Sequence, residues 1–224
     1  MDQSRDMIEH IVTRINYWDR VAHEKCFSHP LRMGWLARYL SKQAWLLDYG
    51  CGYGRTLAQL TRTRFTNIIG MDFSEVMLRR CRSEIPGAKL IRNDGRGLPL
   101  QSGSVAVLLF AVLTCIPEND EQRVLLAEVE RVLRPGGLIY ISDLLLNEDA
   151  RNRERYDLFA EAYKCYGVFE LPEGVTVRHH RKEWIEELTS SLEKLESEPF
   201  QVTTMNENTS AAFQYLGRKS IERS

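Results

Sequence analysis

Three glycines at alternating positions, Gly50, Gly52 and Gly54, follow the apolar run Trp45-Leu46-Leu47 and the acid Asp48. An apolar run bounded by Gly reads as a buried strand. Thr56 to Leu60 reads as a helix, so the glycines occupy a strand-to-helix turn. Without a Cβ the backbone there approaches a ligand closely, and the helix N-terminus points at it. The next apolar run, Asn67 to Met71, ends on Asp72. That acid lies about 20 residues on, where a nucleoside-binding α/β fold keeps the carboxylate for a ribose hydroxyl pair. A dinucleotide turn needs its third Gly three residues after the second, over the pyrophosphate. Here Arg55 holds that position, and no GK[ST] follows. The turn suits a nucleoside and suits a diphosphate poorly.

These residues resemble the class I S-adenosylmethionine-dependent methyltransferases, in the small bacterial type whose first motif reads LD-x-GCG-x-G. That motif here is Leu47 to Gly54. The resemblance continues through Asp72-Phe73-Ser74, through Asn93-Asp94-Gly95 with Leu98-Pro99-Leu100, and through Arg131 to Gly137. It covers residues 45 to 143, about half the chain, and is specific for fold and cofactor but says little about the methyl acceptor. It implies a Rossmann-like, doubly wound, seven-stranded sheet, mostly parallel. The last strand is expected to run antiparallel and to lie between strands five and six.

The chain itself alternates strands and helices from Trp45 to Asp143, as a parallel α/β sheet requires. The run Val105 to Phe110 is almost wholly apolar, as a central strand covered on both faces should be. Residues 5 to 42 read as helical, with Pro30 opening a second helix. Asn119 with Gln122 resembles a capping box at the start of the helix that buries Leu125 and Val129. After Asp143 a charged and aromatic insert breaks the alternation, before a helix around Lys182 to Leu192 and closing strands over Leu195 to Met205 and Ala211 to Gly217. The expected organisation is one methyltransferase domain over 1–224: an N-terminal helical cap (1–43), a cofactor-binding core (44–146), a lid or insert (147–180), and a closing helix with two strands (181–224).

At 224 residues and a net charge of −1, with acids and bases interspersed, the chain gives no strong nucleic-acid signal. No apolar run reaches transmembrane length, so no membrane partner is expected. The charged N-terminus is not a signal peptide, and five cysteines without metal-ligand spacing fit a reducing cytoplasm and no metal site.

The resemblance assigns S-adenosylmethionine to a set of residues. Asp48 orients the ammonium group, with Gly50, Cys51 and Gly52 facing the methionine part and Tyr17 closing over it as part of Tyr17-Trp18-Asp19. Asp72 takes the ribose, Phe73 and Met77 pack beside it, and Asp94 with Gly95 receives the adenine amine. The carbonyls of Phe110 and Ala111 meet the cofactor's amino group. Enzymes that methylate exocyclic or amide nitrogen commonly carry an Asn/Asp-Pro-Pro-aromatic motif after strand four. Phe110-Ala111-Val112-Leu113 replaces it here, which argues against adenine, cytosine and glutamine as acceptors. Candidates for the acceptor wall lie outside the common core: Trp18, His23, His29, Tyr156, Tyr163, Tyr166, His179 and His180. The His179-His180 pair, flanked by Arg178 and Arg181, is the densest cationic spot. Cys26, Cys115 and Cys165 border the same region and keep a soft acceptor open. The expected activity is methyl transfer to a small-molecule acceptor, with no catalytic residue dictated by the sequence. A methyltransferase acting on protein or RNA, and a non-catalytic adenosylmethionine-binding partner protein, are the alternatives.

Overall fold

The computed structural model describes residues 3–24, 26, 28–93, 97–103, 106–204 and 206–221, with side chains from residue 12 onward. Two helices, α1 (Gln3–Val21) and α2 (Met33–Tyr39), precede the alternating core. The core runs β1 (Leu46–Tyr49), α3 (Arg55–Arg62), β2 (Ile68–Asp72), α4 (Glu75–Glu84), β3 (Lys89–Arg92), β4 (Ala106–Phe110), a 3₁₀ turn (Leu113–Cys115), α5 (Asn119–Val132) and β5 (Leu138–Leu144). The insert supplies α6 (Ala150–Tyr163) and a short antiparallel hairpin of β6 (Val168–Glu170) and β7 (Thr176–Arg178). Then come α7 (Lys182–Leu188), β8 (Leu192–Thr203) and β9 (Thr209–Lys219).

The main sheet has seven strands in the order β3-β2-β1-β4-β5-β9-β8. β1 to β5 pair in parallel, and β9 is antiparallel to both β5 and β8. The last strand is thus antiparallel and inserted between β5 and β8, as the resemblance implied. Strand order reverses between β1 and β4, and the carboxyl ends of those strands open the crevice in which such sheets bind ligands.

Alternation along the strands sorts side chains onto two faces. Leu47, Val107, Leu109, Ile139 and Ile141 pack under α5 and α7 with Leu125, Val129 and Trp184. Leu46, Leu108 and Tyr140 pack under α2, α3 and α4 with Leu36, Leu57 and Leu78. Full burial of each such side chain is worth about 1.5–3 kcal/mol, so both faces hold the sheet flat against its helices. A third cluster joins α1 to α4 and to the insert: Trp18, Val21, Met77, Tyr156, Phe169 and Val177. The aromatic residues of the insert are therefore packed against the N-terminal helix.

Three local expectations need correction. Pro30 does not open α2; it stays in the non-helical segment, its carbonyl accepting a hydrogen bond from Gln214 Nε2, and the helix starts at Met33. Asn119 and Gln122 form no capping box, because Glu118 is the N-cap residue and makes no side-chain cap. Gln122 points inward instead, donating to the carbonyls of Leu113 and Ile116 and accepting from Trp184 Nε1 at 2.7 Å. Asn119 Oδ1 accepts from the Arg178 guanidinium. The C-terminal helix is also shorter than expected, because Leu192 already begins β8.

Candidate functional site

The glycine turn is left-handed at each glycine, with φ of +73° at Gly50, +53° at Gly52 and +88° at Gly54. Two of these positions admit no side chain. A Cβ on Gly50 would lie 2.7 Å from Val112 Cγ2, across the crevice, and one on Gly54 would lie 2.5 Å from Cys81 Sγ. The turn is pinned to β2, since the amides of Gly50 and Cys51 both donate to the Met71 carbonyl. Gly52 N donates to Asp72 Oδ2 at 2.8 Å, and Ser74 N donates to Asp72 Oδ1 at 2.9 Å. Ser74, not Asp72, caps α4 by accepting from Met77 N. Asp72 is thereby fixed by backbone donors on both oxygens.

This turn floors a cavity of about 460 Å³, within the range that holds a drug-sized ligand. Asp48, Gly50, Cys51, Gly52, Asp72, Phe73, Met77, Phe110 and Ala111 all line it. Ala111 carries a left-handed φ of +56°, a conformation rare for a residue with a Cβ and common where a backbone is held to a task. Asp48 is fully buried, and its Oδ2 has no hydrogen-bond partner among the described residues. Burial pushes its carboxyl up to about 7, opposed by Arg55 and reinforced by Asp72. Burial likewise lifts Asp72 to about 6, against the backbone donors that favour its ionised form. A buried carboxylate with an unused oxygen, over a cradle that a Cβ would fill, fits the ammonium end of an adenosylmethionine-like ligand.

Other expected residues fall differently. Trp18 reaches the cavity wall; Tyr17 lies behind it, edge-on at 5.0 Å, with its hydroxyl buried and pushed up to about 12. Asp19 turns toward α4, accepting from Ser74 Oγ at 2.5 Å. Asp94 and Gly95 lie outside the described residues. His29 and His179 line the cavity, whereas His23 is exposed and off the wall. Tyr156 is buried behind His179 and meets its Nδ1 at 2.6 Å. Tyr163 reaches outward to Glu170, and Tyr166 packs edge-on against Tyr156.

The His179-His180 pair is not a cationic spot. Both rings are buried, and desolvation drives His179 well below its ordinary value and His180 to about 3. His180 is clamped between the Leu144 carbonyl and Gln122, away from the cavity. Cys26 and Cys115 line the cavity while Cys165 does not, and burial pushes the Cys115 thiol to about 12, so it is no thiolate.

Sequence reasoning missed the far wall. Arg151 and Arg155 on α6 line it, together with Asn208 from the β8–β9 connection and Ser210 from the start of β9. In sequence the arginines sit in a run, Arg151-Asn152-Arg153-Glu154-Arg155, that reads as a solvated face; only their i, i+4 spacing set them apart.

Residues 47–141 match the family model described as the methyltransferase domain. Over 153 residues, 62% of its length, the chain is 33% identical to a carboxy-S-adenosyl-L-methionine synthase of Aliivibrio salmonicida. Over 103 residues, 44% of its length, it is 35% identical to a phthiotriol/phenolphthiotriol dimycocerosates methyltransferase of Mycobacterium ulcerans. The matches span 61% and 37% of those relatives' own lengths. Among solved structures, an S-adenosylmethionine-dependent methyltransferase of Methanosarcina mazei superposes with a TM-score of 0.79 at 22% identity, covering 87% of this chain and 100% of that one. At that identity the likeness shows the fold.

Proposed function

We propose that this chain, which carries a methyltransferase domain on an S-adenosylmethionine-dependent methyltransferase fold, transfers the cofactor's sulfonium methyl to a small-molecule acceptor. One observation carries the reading: Asp48 Oδ2, buried without a partner among the described residues, stands over the left-handed glycine turn and shares one cavity with Asp72. The cofactor would supply an already activated methyl carbon, open to in-line displacement. Asp48 holds its ammonium group. Asp72, its carboxylate fixed by Gly52 and Ser74, takes the ribose hydroxyls, and Phe73 and Met77 pack beside the nucleoside. Asp94 and Gly95 are proposed for the adenine amine, and the Phe110 and Ala111 carbonyls for the amino group.

The remaining work is alignment in a water-poor pocket, which can lower a barrier by several kcal/mol without a dedicated base. Trp18 and His179 form the near acceptor wall, with Tyr156 holding His179. Residues 147–180 and the N-terminal helices act as the lid of a single domain. Their contacts support this, since Arg14 donates to the Cys115 carbonyl, Arg20 donates to the Glu173 carbonyl, and α1 shares a core with the insert. One relative is named as a synthase of carboxy-S-adenosyl-L-methionine and the other as a methyltransferase of phthiotriol/phenolphthiotriol dimycocerosates; neither name is of a protein or RNA, which supports a small acceptor. Among the described residues no helix is long and apolar enough to cross a membrane. With five free cysteines, this supports the cytoplasm as location.

Calorimetry with S-adenosylhomocysteine and NAD is the first test, with heat expected only for the former. Incubation with methyl-labelled S-adenosylmethionine and a metabolite extract, a protein fraction or an RNA fraction is the second. Label is expected in the metabolites. Label in protein or RNA would overturn the small-molecule acceptor, and no label in any fraction despite tight binding would indicate a silent binder.

A further inference from the structure

We infer that the acceptor is a carboxylate-bearing small molecule with an apolar body, whose carboxylate is gripped by Arg155 with Arg151 beside it on the insert wall of the cavity. The inference rests on the methyl-transfer reading and narrows its substrate class.

Arg155 reaches the cavity from α6 while its stem and guanidinium are pinned from behind. Its guanidinium carbon lies 3.7 Å from the Phe169 ring centroid and 5.8 Å from that of Tyr156, and it donates to Asn152 Oδ1. Stacking of this kind holds the planar fork in one orientation, so little freedom is lost when an anion docks. Among the described residues its Nε is buried without a hydrogen-bond partner and Arg155 forms no ion pair. Partial burial lowers its proton affinity, and the neighbouring Tyr156 hydroxyl and the more distant Asp149 offset this only in part. Arg151 sits one turn earlier on the same wall, and its ion pair with Asp149 is long, at 3.9 Å, and half-exposed.

Elsewhere on the wall, charge is already matched. Glu121 is paired with Arg14, Asp120 with Arg123 and Glu128 with Arg131. At the cofactor end, Arg55 already provides a cation beside Asp48. The cavity is therefore acidic at the glycine turn and cationic at the insert. A half-buried guanidinium with only neutral partners is stabilised when an anion completes it, and the fork geometry of Arg matches a carboxylate. Phe169 lies under it, and Leu171, Val177 and Leu144 line the same cavity with neutral hydrogen-bonding groups such as Asn208 and Ser210. That lining suits a single carboxylate on an apolar body.

The test is calorimetric titration of the S-adenosylhomocysteine-saturated protein with 3-phenylpropanoate, 4-phenylbutanoate and their primary amides. The carboxylates should bind at least tenfold more tightly than the isosteric amides. Arg155→Met should erase that preference and Arg155→Lys should retain part of it, with S-adenosylhomocysteine affinity within about twofold of wild type in both. Equal affinity of wild-type protein for carboxylates and amides overturns the inference without needing any variant. It is also overturned if Arg155→Met weakens S-adenosylhomocysteine tenfold but leaves methylthioadenosine unchanged, since Arg155 would then hold the cofactor's own carboxylate. Absence of S-adenosylhomocysteine binding in wild type would instead overturn the methyl-transfer reading itself.

Discussion

Replacing Asp48 by Asn should make the cofactor-free protein more stable above neutral pH while weakening its hold on the cofactor. Asp48 is buried, its Oδ2 lacks a partner, and its carboxyl is raised from 3.8 to about 7, chiefly by burial. The sign follows directly. Below pH about 4 the group is protonated in folded and unfolded chains alike and costs nothing. Between about 4 and about 7 the unfolded chain ionises while the fold retains the proton, so stability falls as pH rises. Above about 7 the full cost is present. At about 1.36 kcal/mol per pH unit, the ionised Asp48 costs the fold up to about 4 kcal/mol. A buried Asn keeps a polar desolvation cost of about 1–3 kcal/mol, so the net gain at pH 8 is about 1–3 kcal/mol. For a chain of this size that is roughly 3–10 °C in Tm.

Thermal denaturation of both proteins from pH 4 to pH 8.5, with and without S-adenosylhomocysteine, reads this out. Wild type should lose stability over pH 4–7 more steeply than Asp48→Asn, although Asp72 and Asp143, raised to about 6 and about 7, keep a slope of the same sign in the variant. Binding of S-adenosylhomocysteine should tighten in wild type as pH rises toward 7, since the ammonium needs the ionised carboxylate. The variant should bind at least tenfold more weakly with a flatter profile, while methylthioadenosine, which has no ammonium group, should bind both proteins alike. A variant less stable than wild type at pH 8, with an unchanged pH slope, would refute the reasoning that Asp48 is a buried charge whose burial outweighs the nearby Arg55.

Gly54→Ala should destabilise the fold by about 2–4 kcal/mol, because it combines a left-handed φ of +88° with a Cβ 2.5 Å from Cys81 Sγ; an unchanged urea midpoint would show that the turn can move. Gln122→Leu should cost about 2–4 kcal/mol, since the Ile116 carbonyl and Trp184 Nε1 lose their partner together while the Leu113 carbonyl keeps only the Ile116 amide. Equal stability of that variant by chemical denaturation would mean that water or a rearranged turn satisfies them. Amide exchange with S-adenosylhomocysteine should show protection rising in residues 10–30 and 147–180 as well as around Gly50 and Asp72. Protection confined to the glycine turn would mean that the insert is not a lid.

The cofactor half of the site was legible because its constraints are local. Gly50 and Gly54 stand where backbone handedness and the closeness of Val112 and Cys81 leave no room for a side chain, and Asp72 sits at a strand end whose apolar run announces it. The acceptor half is built from contacts distant in sequence. Gln122 matches a capping spacing with Asn119, yet it lies on the same inward face as Leu125 and Leu126, and Trp184, 62 residues away, takes its side-chain oxygen. His179 and His180 read as charged beside two arginines, but the hairpin and the Leu145–His180 bridge draw both rings into the interior, where imidazolium is disfavoured. Strands of three residues, such as β6 and β7, carry too little alternation to be recognised. Their pairing brings Phe169 under Arg155 and turns an apparently solvated helix face into a cavity wall. The part proposed to bind the cofactor is thus written in short motifs, while the part proposed to select the acceptor is written in tertiary packing, where neighbouring residues in sequence give no signal of it.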